Sequence, residues 1–242
     1  MEILEGDPFQ GIYPTGRKES HFKLLAPIVP KAILCVGLNY RKHANEMGTE
    51  FPNYPILFFK NPSALLNPRE DIVIPRNLVS TKVDYEGELA VIIGRTCLNA
   101  NRENALDYVM GYTIANDVSA RDWQSKERGG TQWCRAKSFD SFAPMGPWIV
   151  TSDEIGDPNN LQISTSINGE RLQNSTTADM IFNIPSLIEF LSGDTTLEAG
   201  TVILTGTPEG VGAGQVPERW LQTGDQCCVE IEKIGVLENG VA

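Results

Sequence analysis

Two glutamates separated by one glycine, Glu86-Gly87-Glu88, stand at the head of the apolar run Leu89-Ala90-Val91-Ile92-Ile93. The β-branched residues at the end of this run and the closing Gly94 predict a single strand over residues 83–94. Side chains alternate faces along a strand. Glu86 and Glu88 are therefore expected on one face with Ala90 and Ile92, and Tyr85, Leu89 and Val91 on the other. Like charges about 7 Å apart repel, and burial penalises each ion further, so the pair needs compensation wherever the run enters a core. A solvated strand end meets that need, and so does a divalent cation. A second apolar strand, residues 111–119, carries Asp117 near its end and offers a third carboxylate. Oxygen donors without a Cys or His cluster suit a hard ion, Mg2+ or Mn2+ with Ca2+ as a further candidate, rather than zinc.

The rest of the chain limits the alternatives. With 242 residues, 41% of them hydrophobic and 21% charged, it is long and apolar enough for one globular domain with a sizeable core. Residues 1–30 are rich in turn formers and predict a short N-terminal lobe ahead of a main domain over 31–242, with strand-like pieces only at Ile3-Leu4 and residues 22–25. A net charge of -11 disfavours nucleic acid and anionic membrane as partners. The five cysteines contain no C-x-x-C and form neither a disulfide framework nor a zinc site. The N-terminus shows no leader and no run is long enough to span a bilayer, so the cytoplasm is the default location.

Strands are expected at residues 32–37, 55–60, 161–167, 201–205 and 228–231, with Asn168-Gly169 as a hairpin turn. Short helices are expected from an Asn39 N-cap to Gly48, over 102–110, over the charged segment 121–130, and from Pro185 to Gly193. The Gly129-Gly130 break is a loop or the hinge of a lid. His21 falls in the loose N-terminal segment. His43 and Glu46, three apart, share one helix face and make either a proton-transfer pair or an exposed surface pair. No G-x-S-x-G elbow is present. Residues 206–214 lack the Gly-Lys-Ser/Thr of a P-loop, and read instead as a rigid strand-end turn that lends backbone N–H groups and the Thr207 hydroxyl to a pocket.

Taken in order, residues 37–46, Glu86-Gly87-Glu88, Asp117, residues 119–124, residues 137–140 and residues 205–212 closely resemble the fumarylacetoacetate hydrolase family, from about residue 25 to the end. The resemblance implies a mostly β (α+β) fold, a mixed β-sandwich or roll with a few short helices and a remnant N-terminal lobe, assembled as a homodimer. It implies Glu86, Glu88 and Asp117 as ligands of Mg2+ or Mn2+. It also implies His43 and Glu46 as a water-activating dyad on a segment that orders when substrate binds. Lys137 joins them as a catalytic residue, with Arg121, Gln124, Lys60 and Thr207 at the substrate. The implied substrate is a small 2-oxo acid, and the leading activity is C–C hydrolysis of acylpyruvates or decarboxylation of oxaloacetate. Oxaloacetate keto-enol tautomerisation and 2-hydroxyhepta-2,4-diene-1,7-dioate isomerisation are the alternatives within the family, and a metal-binding structural protein without turnover is the alternative outside it.

Overall fold

The computed structural model describes residues 2–7, 9, 11–20, 22–128 and 130–242, so His21 and Gly129 lie outside the described residues. A seven-stranded mixed sheet runs in spatial order through β4 (Ile56–Lys60), β3 (Ala32–Gly37), β13 (Thr201–Leu204), β7 (Gly87–Ile93), β8 (Val109–Asn116), β10 (Ala143–Thr151) and β5 (Leu65–Leu66). A four-stranded antiparallel sheet follows the order β12 (Glu170–Thr176), β11 (Gln162–Ile167), β14 (Gln226–Ile231) and β15 (Gly235–Gly240). β1 (Glu2–Asp7) and β2 (Gly11–Lys18) form a hairpin, and β6 (Val83–Asp84) pairs with β9 (Ser119–Ala120). The α-helices are short: α1 (Arg41–Glu46), α2 (Trp133–Ala136), α3 (Ser152–Ile155) and α4 (Ile184–Ser192). None is long and apolar enough to cross a membrane.

β7 lies in the middle of the large sheet and is buried at every position, which explains its unbroken apolar run. Leu89, Val91 and Ile93 point into a core shared with α4 and with Ile163, Val229 and Ile231 of the small sheet. Ala90 and Ile92 point the other way, toward Ile33, Cys35, Phe58 and Val202. The Asn168-Gly169 turn has positive φ at both residues, as a two-residue type I′ hairpin requires.

Several local expectations change once distant partners are in place. The strand expected over 83–94 is interrupted at Tyr85 and Glu86, because the Glu86 N–H goes to the Asn116 side chain (2.9 Å) and the Glu86 carbonyl to the Asp117 N–H (2.8 Å). The break resets the alternation, and Tyr85 joins the cluster of Ala90 and Ile92, not that of Leu89 and Val91. Asp117 follows the end of β8 and is not part of it. The helix expected over 102–110 shrinks to a 3-10 turn, Ala105–Tyr108. There the Asn101 carboxamide accepts from the Glu103 and Asn104 N–H groups and satisfies them without a helix. In place of the helix expected over 121–130, the described residues form two 3-10 turns, Arg121–Gln124 and Lys126–Arg128. Residues 22–25 form no strand. Tyr40, not Asn39, takes the N-cap position of α1. The Asn39 amide instead spans Phe182 and Thr205, donating to both carbonyls and accepting from the Phe182 N–H.

Candidate metal centre and proton-transfer pair

Glu86 sits between β6 and β7, Glu88 on β7, and Asp117 just beyond β8. One ligand oxygen from each lies within 4.8 Å of the others, and all three residues are buried. The antiparallel pairing of β7 with β8 sets Gly87 opposite Asn116, which brings these two strand ends together. Asp84, buried at the end of β6, is a fourth carboxylate beside them.

Three cationic side chains answer these four acids. Lys137 donates to Glu86 Oε2 and Asp117 Oδ2, both at 2.6 Å. Lys60 donates to Asp117 Oδ1 at 2.5 Å and to the Val118 carbonyl at 3.1 Å. Arg121 bridges Asp84 and Glu86. Among the described residues Glu88 has no ion-pair partner; its Oε2 accepts from the Gly206 N–H at 2.7 Å. Burial, then Asp117 and Glu86, push the Glu88 carboxyl well above the usual glutamate range. Glu86 behaves oppositely: burial would raise it, but Arg121 and then Lys137 outweigh that and hold it down at about 2. Burial would lower the Lys137 ammonium, yet Asp117 and Glu86 drive it upward. With all four acids ionised, the described residues leave the site one positive charge short, next to Glu88. An all-oxygen, buried donor set with that deficit fits a hard divalent cation held by Glu86, Glu88 and Asp117.

The proton-transfer pair lies beside this cluster. His43 Nδ1 donates to Glu46 Oε2 at 3.1 Å, since an ionised carboxylate can only accept, and this leaves the ring lone pair on Nε2. An electrostatic interaction reaches Glu86 from the His43 ring, so the imidazole is near the acids. α1 is anchored by Lys42 N–H to Asp179 Oδ2 (3.0 Å) and by Arg41 to the carbonyls of Asp179 and Met180.

The glycine-rich turn over 206–214 ties the two halves together, for its N–H groups end on three different carboxylates. Gly206 donates to Glu88, Gly210 to both oxygens of Glu46 (3.0 and 3.2 Å), and Gly212 and Ala213 to Asp84. Gly210 has φ of +97°, a conformation for which glycine is suited. Gly214 faces Glu46 so closely that a Cβ there would meet the Glu46 carboxyl and lie 2.8 Å from its Cγ. Gly214→Ala should therefore displace Glu46 from His43 and reduce turnover, roughly tenfold given partial loss of general-base assistance. The fold should survive, because the clash falls on the carboxyl end of a flexible side chain. Undiminished turnover in this variant would show that Glu46 does not orient His43.

The other site residues expected from sequence fall in different surroundings. The Lys60 side chain is completely buried behind Asp117. Thr207 spends its hydroxyl hydrogen on the Gly87 carbonyl (3.0 Å) and accepts from Gln173 (2.8 Å), so it staples the turn to β7. Gln124 meets Arg121 only at 3.5 Å. Sequence reasoning missed Asp84 and Gln173. Asp84 stands two residues before Glu86 in a polar strand head, which was its one visible signal. Gln173 also accepts from the Gly87 N–H (3.0 Å), a pairing across 86 residues with no local trace.

A mixed sheet backed by an antiparallel one, with acids at the ends of adjacent strands and a His-Glu pair beside them, defines a class of enzyme. The chain belongs to the fumarylacetoacetate hydrolase family: the family described as fumarylacetoacetate hydrolase C-terminal matches residues 32–242. Among individual relatives, the oxaloacetate tautomerase YisK of Bacillus subtilis is 46% identical over 226 residues, covering 92% of this chain and 74% of that protein. The solved fumarylacetoacetate hydrolase of Exiguobacterium antarcticum is 46% identical with a TM-score of 0.84, over 92% of this chain and 79% of its own. The 2-hydroxyhepta-2,4-diene-1,7-dioate isomerase of Mycobacterium marinum is 40% identical with a TM-score of 0.86, over 100% of this chain and 86% of its own.

Proposed function

We propose that this chain interconverts the keto and enol forms of oxaloacetate, with Mg2+ or Mn2+ held by Glu86, Glu88 and Asp117. The observation that carries this reading is the tying of a His-Glu pair and a cation-deficient acidic cluster to one glycine-rich turn, through Gly210 to Glu46 and through Gly206 to Glu88. Glu86, Glu88 and Asp117 would hold a cation whose Lewis acidity would make the C–H next to a 2-oxo group more acidic. His43 Nε2 then removes the proton from that carbon, while Glu46 holds the Nδ1 proton and stabilises the imidazolium. Return of the proton to carbon or its release toward oxygen sets the direction of the tautomerisation. Lys137 is kept charged by Glu86 and Asp117, so it orients and neutralises, and does not abstract. Lys60 holds Asp117 from behind.

Tautomerisation ranks above the C–C hydrolysis and decarboxylation expected first from sequence because the Bacillus relative is named for it. Hydrolysis of an acylpyruvate is the second reading, favoured by the name of the Exiguobacterium relative and by the ability of the same pair to activate water. With Mn2+ present, the loss of enol absorbance from oxaloacetate should far outpace pyruvate release from either oxaloacetate or acetylpyruvate. Pyruvate release at a comparable or higher rate would replace the tautomerase reading with the hydrolase or decarboxylase one.

A further inference from the structure

We infer that Asp84 is a positioning residue that sets the Glu86 carboxylate for the cation by acting through Arg121, an inference that rests on the metal reading above. Asp84 is completely buried and accepts four hydrogen bonds. Three come from backbone N–H groups, Tyr85 (2.9 Å), Gly212 (2.7 Å) and Ala213 (3.1 Å), and the fourth from Arg121 Nε at 2.9 Å. The approach of the glycine turn is built in, since a Cβ on Gly212 would lie 2.6 Å from Asp84 Oδ1.

The geometry of guanidinium makes the next link. It is a planar fork, so anchoring Nε on Asp84 fixes the plane in which Nη2 donates to Glu86 Oε1. Glu86 is then held from two sides, by Arg121 on Oε1 and by Lys137 on Oε2. A lysine ammonium in place of Arg121 offers one point charge and cannot span both acids in a fixed orientation. Asp84 therefore joins the turn that already positions Glu88 and Glu46 to the third element of the site, Glu86. An uncharged residue would serve a purely structural role at lower burial cost, because the backbone donors need only acceptors. The charge on Asp84 is explained by its hold on Arg121: without it the guanidinium is neutralised by Glu86 alone and competes with a cation for that carboxylate.

Outer partners of metal ligands commonly change affinity by about 10–100-fold. The test is a Mn2+ titration of the chelator-treated protein, read by the free Mn2+ resonance signal, in wild type, Asp84→Asn, Arg121→Gln and the double variant. Asp84→Asn is expected to weaken Mn2+ binding about tenfold or more. In the Arg121→Gln background the same change is expected to have little further effect. A Mn2+ affinity for Asp84→Asn within about twofold of wild type overturns the inference, and so does an equal loss in both backgrounds, which would trace the effect to the turn or to charge alone. Should Asp84→Asn fail to fold, Arg121→Lys carries the test: weakened Mn2+ binding supports the relay and unchanged binding removes it. Wild-type protein that binds no Mn2+ would sink the metal reading itself, an outcome distinct from loss of the relay.

Discussion

Glu88→Gln should abolish cation-dependent turnover while leaving the metal-free fold at least as stable as wild type. Among the described residues three carboxylates can share a cation at the candidate centre, and Glu88 is the one that no side-chain cation neutralises. Glutamine retains an acceptor for the Gly206 N–H but removes the negative charge that a hard ion requires. The same substitution relieves a cost in the metal-free protein, where burial, Asp117 and Glu86 push this carboxyl well above 4.5. An acid whose folded pKa is raised supports the fold below its unfolded value, and that support is lost as pH rises through the folded value. The stability advantage of Glu88→Gln over wild type, both chelator-treated, should therefore widen with pH above 4.5. Glu86, held at about 2, works in the opposite sense and is present in both proteins. Chemical denaturation at about pH 5 and about pH 8 reads the gap. Retained Mn2+-dependent turnover in Glu88→Gln would remove the metal site as assigned, and a gap that does not change with pH would remove the account of its burial.

His43→Ala should lower enolisation of oxaloacetate by roughly a hundredfold or more, the usual contribution of a positioned general base. Mn2+ binding should persist, because His43 is not among the carboxylate ligands. Glu46→Gln should cost less: its amide oxygen can still accept from His43 Nδ1 while the charge that stabilises the imidazolium is gone. The result is read from steady-state rates together with a Mn2+ titration of each variant. Normal turnover in His43→Ala would mean that another group moves the proton. Lys137 is a poor substitute, since its ammonium is already bound to Glu86 and Asp117.

Features carried by local spacing were legible in the chain. The i,i+3 relation of His43 and Glu46 survives in α1, where the two side chains bond directly. The carboxylates of Glu86, Glu88 and Asp117 meet because an apolar run and its antiparallel neighbour end together. The hairpin at Asn168-Gly169 and α4, read from its early Pro185 and the closing Gly193, are equally local, set by turn and helix-end chemistry. The expectation of one strand over 83–94 failed for a reason that strand periodicity does not register: the Glu86 N–H finds the Asn116 side chain. Arg121 was expected at the substrate, but its tie to Asp84 could not be read from spacing. The glycine turn was read as a source of backbone donors, yet which acids receive them depended on approaches across 164 residues for Gly210 and Glu46 and 128 for Gly212 and Asp84. The sequence by itself determined the donor types and the short-range geometry. Tertiary structure alone decided their partners, because a buried polar group bonds whatever the packed chain brings within about 3 Å, and periods of 2 and 3.6 residues carry no information over such separations.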